Sequence, residues 1–218
     1  MTDRRNFLGR VAAAAALGLT SWKPARLLAE AGDPTIDSSD HWLDGLKGKH
    51  RQLFDMPNPN NGVPQLHIRN YLNTWRDAYH VPEKEVNAVG TLYGPSTLLA
   101  FNDAMWIKYK FGGLIKANDA NGTPLTRNMF AHPKAGDQFA FGFMDSSIEA
   151  LQARGVVFIL CNNALAFWSA NLAKATGGKA DEVRSELLAH TLPGVVLVPG
   201  MVVAINRAQE RGLSYMYL

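Results

Sequence analysis

Apolar and polar positions along this chain follow two different rhythms. Across 64–79, Leu66, Tyr71, Leu72 and Trp75 recur at helical spacing with polar residues between them. That pattern predicts an amphipathic helix with Pro64 near its start. Across 156–161 the sequence Val-Val-Phe-Ile-Leu-Cys runs without a polar break and is entered through Gly155. A short apolar run rich in β-branched residues predicts a strand buried on both faces. Strands are also predicted at 49–56, 85–93 and 195–198, with a short closing strand at 213–217. Helices are predicted at 97–106, with Ser96 as N-cap, and at 145–153, capped by Asp145 or Ser146. Three more are predicted at 163–175, 181–190 and 201–211, the first broken by Gly177-Gly178 and the last closed by Gly212. Loop 57–62 reads Pro-Asn-Pro-Asn-Asn-Gly. Segment 112–137 is rich in Gly, Asn and Pro and has no sustained period, which predicts an inserted loop acting as a lid, an interface or a disordered stretch. The order of elements predicts an α/β fold: a mostly parallel sheet of about five strands with helices on both faces.

The amino-terminal residues carry a different message. Arg4-Arg5-Asn6-Phe7-Leu8 is a twin-arginine pattern, followed by an Ala-rich apolar stretch over 11–19 that is too short to span a bilayer. Ala29-Glu30-Ala31 has the form of a cleavage site. Residues 1–31 therefore read as a Tat export signal, 32–46 as a tether and 47–218 as one α/β domain. The signal also holds most of the basic excess. The chain has 22 Lys and Arg and 19 Asp and Glu; 1–31 contain five of the former and two of the latter. The remainder is balanced, so a basic surface for nucleic acid is not indicated. The expectations are a periplasmic protein, no nucleic-acid partner and no membrane span once the signal is removed. No internal repeat and no heptads appear.

Chemistry concentrates at one place. Strand 156–161, followed by a polar turn at Asn162-Asn163 and then a helix, puts Cys161 at the carboxyl end of a parallel strand and beside a helix N-terminus. Ligands bind at that edge of open α/β sheets, and a helix N-terminus favours a thiolate. Cys161 is the only cysteine, so the chain forms no internal disulfide. It is the candidate catalytic residue; the alternative is a small hydrophobe packed at a strand end. Asn162 and Asn163 are candidate ligand-orienting groups, with turn and cap chemistry as the plainer role. Tyr93 and Ser96 end the second strand at the same edge and are candidate ligand contacts. His50 shares the first strand with Asp55 and is a candidate acid or base reaching the ligand edge. The spacings H-x-x-x-H and H-E-x-x-H are absent, so no metal is expected; His67 and His132 offer only a weak metal or haem site shared across subunits. Trp106, Lys108, Tyr109, Lys110 and Phe111 form an aromatic–basic cluster that suits a subunit contact better than a ligand. G-x-G-x-x-G is absent and no cofactor is expected, which leaves little for an oxidoreductase reading.

The last third resembles the DsrE/DsrF-like family. The residues that carry the resemblance are LQARGVVFILCNNAL at 151–165, LPGVVLVPGMVVAI at 192–205 and QERGLSY at 209–215. The helix with Asn73 and the strand ending at Tyr93-Gly94 match more loosely. The resemblance implies a small α/β sandwich that assembles into homo-oligomers. In the sulfur-relay members, the cysteine that matches Cys161 carries a persulfide and passes it to a partner. The expected function is thus an exported protein that binds or transfers a small sulfur species through Cys161, with a sulfur carrier as partner. The alternative is a non-catalytic oligomeric module that binds a small ligand or periplasmic partner.

Overall fold

The computed structural model describes residues 40–218. The segment expected to be an export signal and most of the expected tether lie outside the described residues. Five strands form one sheet: β1 (His50–Asp55), β2 (Val86–Leu92), β3 (Val157–Cys161), β4 (Val195–Val198) and β5 (Ser214–Tyr217). Their order is β4-β3-β2-β1-β5 and every pairing is parallel. The architecture is therefore an α/β fold with an all-parallel sheet. Parallel neighbours need crossovers, and helices supply them. They are α1 (His41–Asp44), α2 (Val63–Asp77), α3 (Asp103–Tyr109), α4 (Phe111–Ile115), α5 (Ile148–Ala153), α6 (Asn162–Thr176), α7 (Ala180–Ala189) and α8 (Met201–Glu210).

Strand alternation divides the buried side chains between two cores. Phe54, Ala88, Leu92, Phe158, Leu160 and Leu197 face the first, where α2, α3, α5, α6 and α7 cover the sheet. Leu53, Val89, Ile159, Cys161 and Val198 face the second, under α1, α8 and Leu213. β3 explains its own sequence: Phe158, Ile159 and Leu160 are fully buried, so both faces must be apolar. Gly90 in β2 is needed for close packing, because a Cβ there would sit 2.7 Å from the Phe158 ring. β4 and β5 lie at opposite edges of the sheet, so the chain between them, with α8, must cross the whole second face.

Three local expectations change. Residues 94–100 form a 3-10 turn, and the next α-helix starts at Asp103 with Asn102 as its cap. Ser96 is consequently not an N-cap; it is fully buried inside the turn. Ser147, not Asp145 or Ser146, caps α5 by accepting the Ala150 N–H at 3.1 Å. The segment 112–137 is neither disordered nor an open lid. Met129, Phe130 and Ala131 are buried in the first core, and Asn128 holds the backbone there. Its Nδ2 donates to the Leu99 and Phe101 carbonyls, each at 2.8 Å, and its Oδ1 accepts from the Phe130 and Ala131 N–H groups. The aromatic–basic cluster also moves inward. Trp106 and Phe111 are fully buried, and Lys108 and Tyr109 both bind Glu186 of α7.

Candidate functional site

Because all strands are parallel, their carboxyl ends share one edge of the sheet. Asp55, Thr91, Cys161, Val198 and Tyr217 end or nearly end their strands there, and Tyr93 lies just beyond β2. The period of two places Asp55, Thr91, Tyr93, Cys161, Tyr215 and Tyr217 on the second face. The register agrees: Leu53, a second-face residue, pairs with Tyr215, and Asp55 pairs with Tyr217.

Asp55 organises the β1–β5 half of this edge. It is 3% exposed and accepts three hydroxyl hydrogen bonds. Thr91 Oγ1 donates to its Oδ1 at 3.0 Å, while the hydroxyls of Tyr215 and Tyr93 donate to its Oδ2 at 2.7 and 3.3 Å. Thr91 in turn accepts the Met56 N–H at 2.8 Å, so it faces Asp55 with its one proton already oriented. No Lys, Arg or His side chain is hydrogen-bonded to Asp55 or ion-paired with it among the described residues. The bond to Asp55 pushes the Tyr215 phenol up to about 12, with burial adding to it. Burial, and then the Asp55 charge, raises the Tyr93 phenol further above its ordinary value. Both hydroxyls keep their protons and act as donors across the physiological range.

Cys161 stands at the β3–β4 half. It is 6% exposed and packs in the second core. The Met201 N–H, at the start of α8, donates to its Sγ at 3.3 Å. Asn162 opens α6 and its Oδ1 accepts from Arg184 Nη2 at 2.5 Å. Asn163 is exposed. A Cβ on Gly200 would lie 3.1 Å from Asn163 Nδ2, so the two helix starts approach closely.

The remaining sequence candidates separate. Tyr93 joins Asp55. Ser96 donates its backbone N–H to the Pro57 carbonyl at 3.1 Å, and its buried Oγ has no partner among the described residues. His50 opens β1, so it lies at the amino edge, a strand length from the carboxyl edge it was expected to reach. Its ring stacks on Trp75 at 3.7 Å. His132 pairs with Glu149 at 2.8 Å, and no group of three or more metal-ligating side chains occurs among the described residues.

A cavity of about 330 Å³ opens between the loop after β1 and residues 137–142. Asn60, Asn61, Gln138, Phe139 and Phe141 line it. Four of its lining residues other than glycine adopt left-handed backbone: Asn60, Asn61, Ala140 and Phe141, with φ between 40° and 54°. Gly62, also left-handed, lies so close to the Phe139 ring that no Cβ fits. Phe141 is 81% exposed. Sequence reasoning missed this cavity and the hub role of Asp55. The only signals were an acid at the last position of a strand and two tyrosines two residues apart near the end of another.

No family model matches the chain, and no curated protein matches it. A solved structure, a protein of unknown function (MTH1491) from Methanobacterium thermoautotrophicum, is similar at 18% identity. The match covers 78% of this chain and 99% of that one, with a TM-score of 0.40. Among the described residues, no helix is long and apolar enough to cross a membrane.

Proposed function

We propose that this protein is a non-catalytic binding module that holds a small ligand in the cavity between the loop after β1 and residues 137–142. The observation that carries the proposal is the cavity's strained rim. Asparagine tolerates left-handed backbone, but for Ala140 and Phe141 it costs on the order of 1–3 kcal/mol each. That cost holds a phenylalanine ring out in water beside three side-chain amides, Asn60, Asn61 and Gln138. An apolar surface flanked by a few placed polar groups is what a small-ligand site needs, and the volume suits one. In this reading the protein works in the periplasm, delivered by the twin-arginine signal, as a homo-oligomer of DsrE/DsrF-like subunits. Exposed Val202 and Val203 on α8 supply apolar surface for such contacts.

The test is native mass spectrometry of the protein recovered from its own compartment. The parent protein and Cys161→Ser should both retain a small adduct, and Phe141→Ala should lose it while keeping its melting temperature. An adduct that survives Phe141→Ala but disappears with Cys161→Ser would sink this reading.

A second reading, sulfur transfer through Cys161, has one observation in its favour. The Met201 N–H donates to Sγ at 3.3 Å, and Cys161 is the residue from which α6 starts, so two helix starts meet beside the thiol. With thiosulfate as donor, the outer sulfur would pass to Sγ and sulfite would leave. The mass of the folded protein would then rise by one sulfur atom, and Cys161→Ser would not change.

A further inference from the structure

The tyrosine cluster over Asp55 has a chemistry that the cavity does not use. The cavity belongs to the first core, to which Phe139 and Ala140 contribute, whereas the Asp55 cluster stands on the second face. We propose that Asp55 and the rings of Tyr93, Tyr215 and Tyr217 form a site for a small quaternary ammonium compound.

Three observations converge on this class of ligand. The first is charge. A carboxylate that is 3% exposed, with no cationic side chain paired to it among the described residues, leaves an uncompensated negative field at the sheet edge. Buried charge is costly until a cation meets it. The second is the state of its oxygens. Three hydroxyls already occupy three of the roughly four lone-pair positions on Asp55. A metal ion, or an ammonium that must donate N–H bonds, would have to displace them. Metal binding also lacks the ligands, since no group of three acidic, His or Cys side chains is present among the described residues. A quaternary ammonium has no proton to donate. It needs only the field of the carboxylate and the faces of aromatic rings. The third observation is the rings themselves. Tyr215 is 43% exposed, Tyr217 is 63% exposed and Tyr93 is half-buried, all on the face that carries Asp55. Two of them are anchored by their hydroxyls to that carboxylate. The Tyr217 hydroxyl has no hydrogen-bond partner among the described residues, which leaves its ring free to pack against a ligand. Fixing the hydroxyls also removes rotational freedom that a ligand would otherwise have to freeze.

The experiment is calorimetric titration of the full chain with choline and with tetramethylammonium, beside the neutral isostere 3,3-dimethylbutanol. Both cations should bind saturably, and the isostere should bind at least about tenfold more weakly. Tyr217→Ala removes an exposed side chain with no internal bond, so it should fold as the parent does and lose about tenfold in choline affinity. Asp55→Asn should lose more, and Tyr215→Phe, which keeps the ring, should lose less than Tyr217→Ala. The proposal is overturned if neither cation binds saturably, if the isostere binds as well as choline, or if Tyr217→Ala leaves choline affinity unchanged. Competition by potassium beyond its effect on ionic strength would likewise overturn it, in favour of a simple inorganic cation site. None of these outcomes bears on the cavity, which Phe141→Ala tests separately.

Discussion

The two halves of one sheet edge, on one face, have opposite characters. At the β3–β4 half, Cys161 is closed in by apolar side chains and its sulfur is bonded to the start of α8. At the β1–β5 half, Asp55 is equally buried, yet the tyrosines bonded to it reach solvent. The difference lies in where the chain goes after each strand. After Cys161 a helix starts at the next residue, and α8 starts three residues after β4, so the chain folds straight back over the thiol. After Asp55 the chain passes through Met56 into the other core and leaves the second face uncovered at that point. A place at the carboxyl edge of a parallel sheet is therefore not enough to make a residue accessible. The connection that leaves the strand decides whether the edge is a site or a seam.

The sharpest way to break this contrast is to put a charge at the closed half. Cys161→Asp places a carboxylate where only one N–H is available to it, and should cost about 3–5 kcal/mol in chemical denaturation. Cys161→Ser, which changes size little, should cost only about 1 kcal/mol. If Cys161→Asp were tolerated as well as Cys161→Ser, the thiol would not be sealed and the two halves would be alike. The next effect is smaller. Asp55→Ala leaves the buried Thr91 hydroxyl without its acceptor and frees Tyr93 and Tyr215, at a cost of about 2–3 kcal/mol. Most of that loss should appear as faster amide exchange in β5, the edge strand tied to β1 through Tyr215. Uniform loss of protection across the sheet would mean that Asp55 is a core residue and not a local clasp.

Much of the closed half was legible in the sequence, and little of the open half was. The run from Val156 to Cys161 has an apolar residue at every position, and only a strand buried on both faces calls for that; the helix after it was signalled by the Asn-Asn turn. The run did not reveal how tightly α8 closes on the thiol, because that depends on β4 lying beside β3, a long-range pairing. The Asp55 cluster joins positions 55, 91, 93 and 215, and no local period connects them. The packing of segment 112–137 escaped the sequence for a similar reason. Its order comes from one asparagine, Asn128, bonded to four backbone groups, which carries no periodic signal. His50 was assigned to the wrong edge although its place at the start of the predicted strand, with Asp55 at the other end, already puts it at the amino edge of a parallel sheet.

The smallest expected effect is also the most specific to the open half. The Tyr215 phenol lies at about 12 in the folded protein, against an ordinary 10.0, chiefly because it donates to Asp55. The folded state therefore holds this proton more tightly than the unfolded state does. Its contribution to stability is complete below pH 10 and is lost as pH rises towards about 12, where the phenolate would face the carboxylate. Tyr215 is exposed enough that solvent screens much of this, so the decline should be shallow. Phenolate absorbance should show two tyrosines, Tyr93 and Tyr215, titrating later in the parent protein than in Asp55→Asn, where the neutral amide removes the charge that helps to raise them. Tyr215→Phe should remove the Tyr215 part of the late titration and make the alkaline slope shallower, leaving the part that Tyr93 contributes. Were the slope in Tyr215→Phe as steep as in the parent, Tyr215 would contribute nothing to it, and its bond to Asp55 would not distinguish the open half from the closed one.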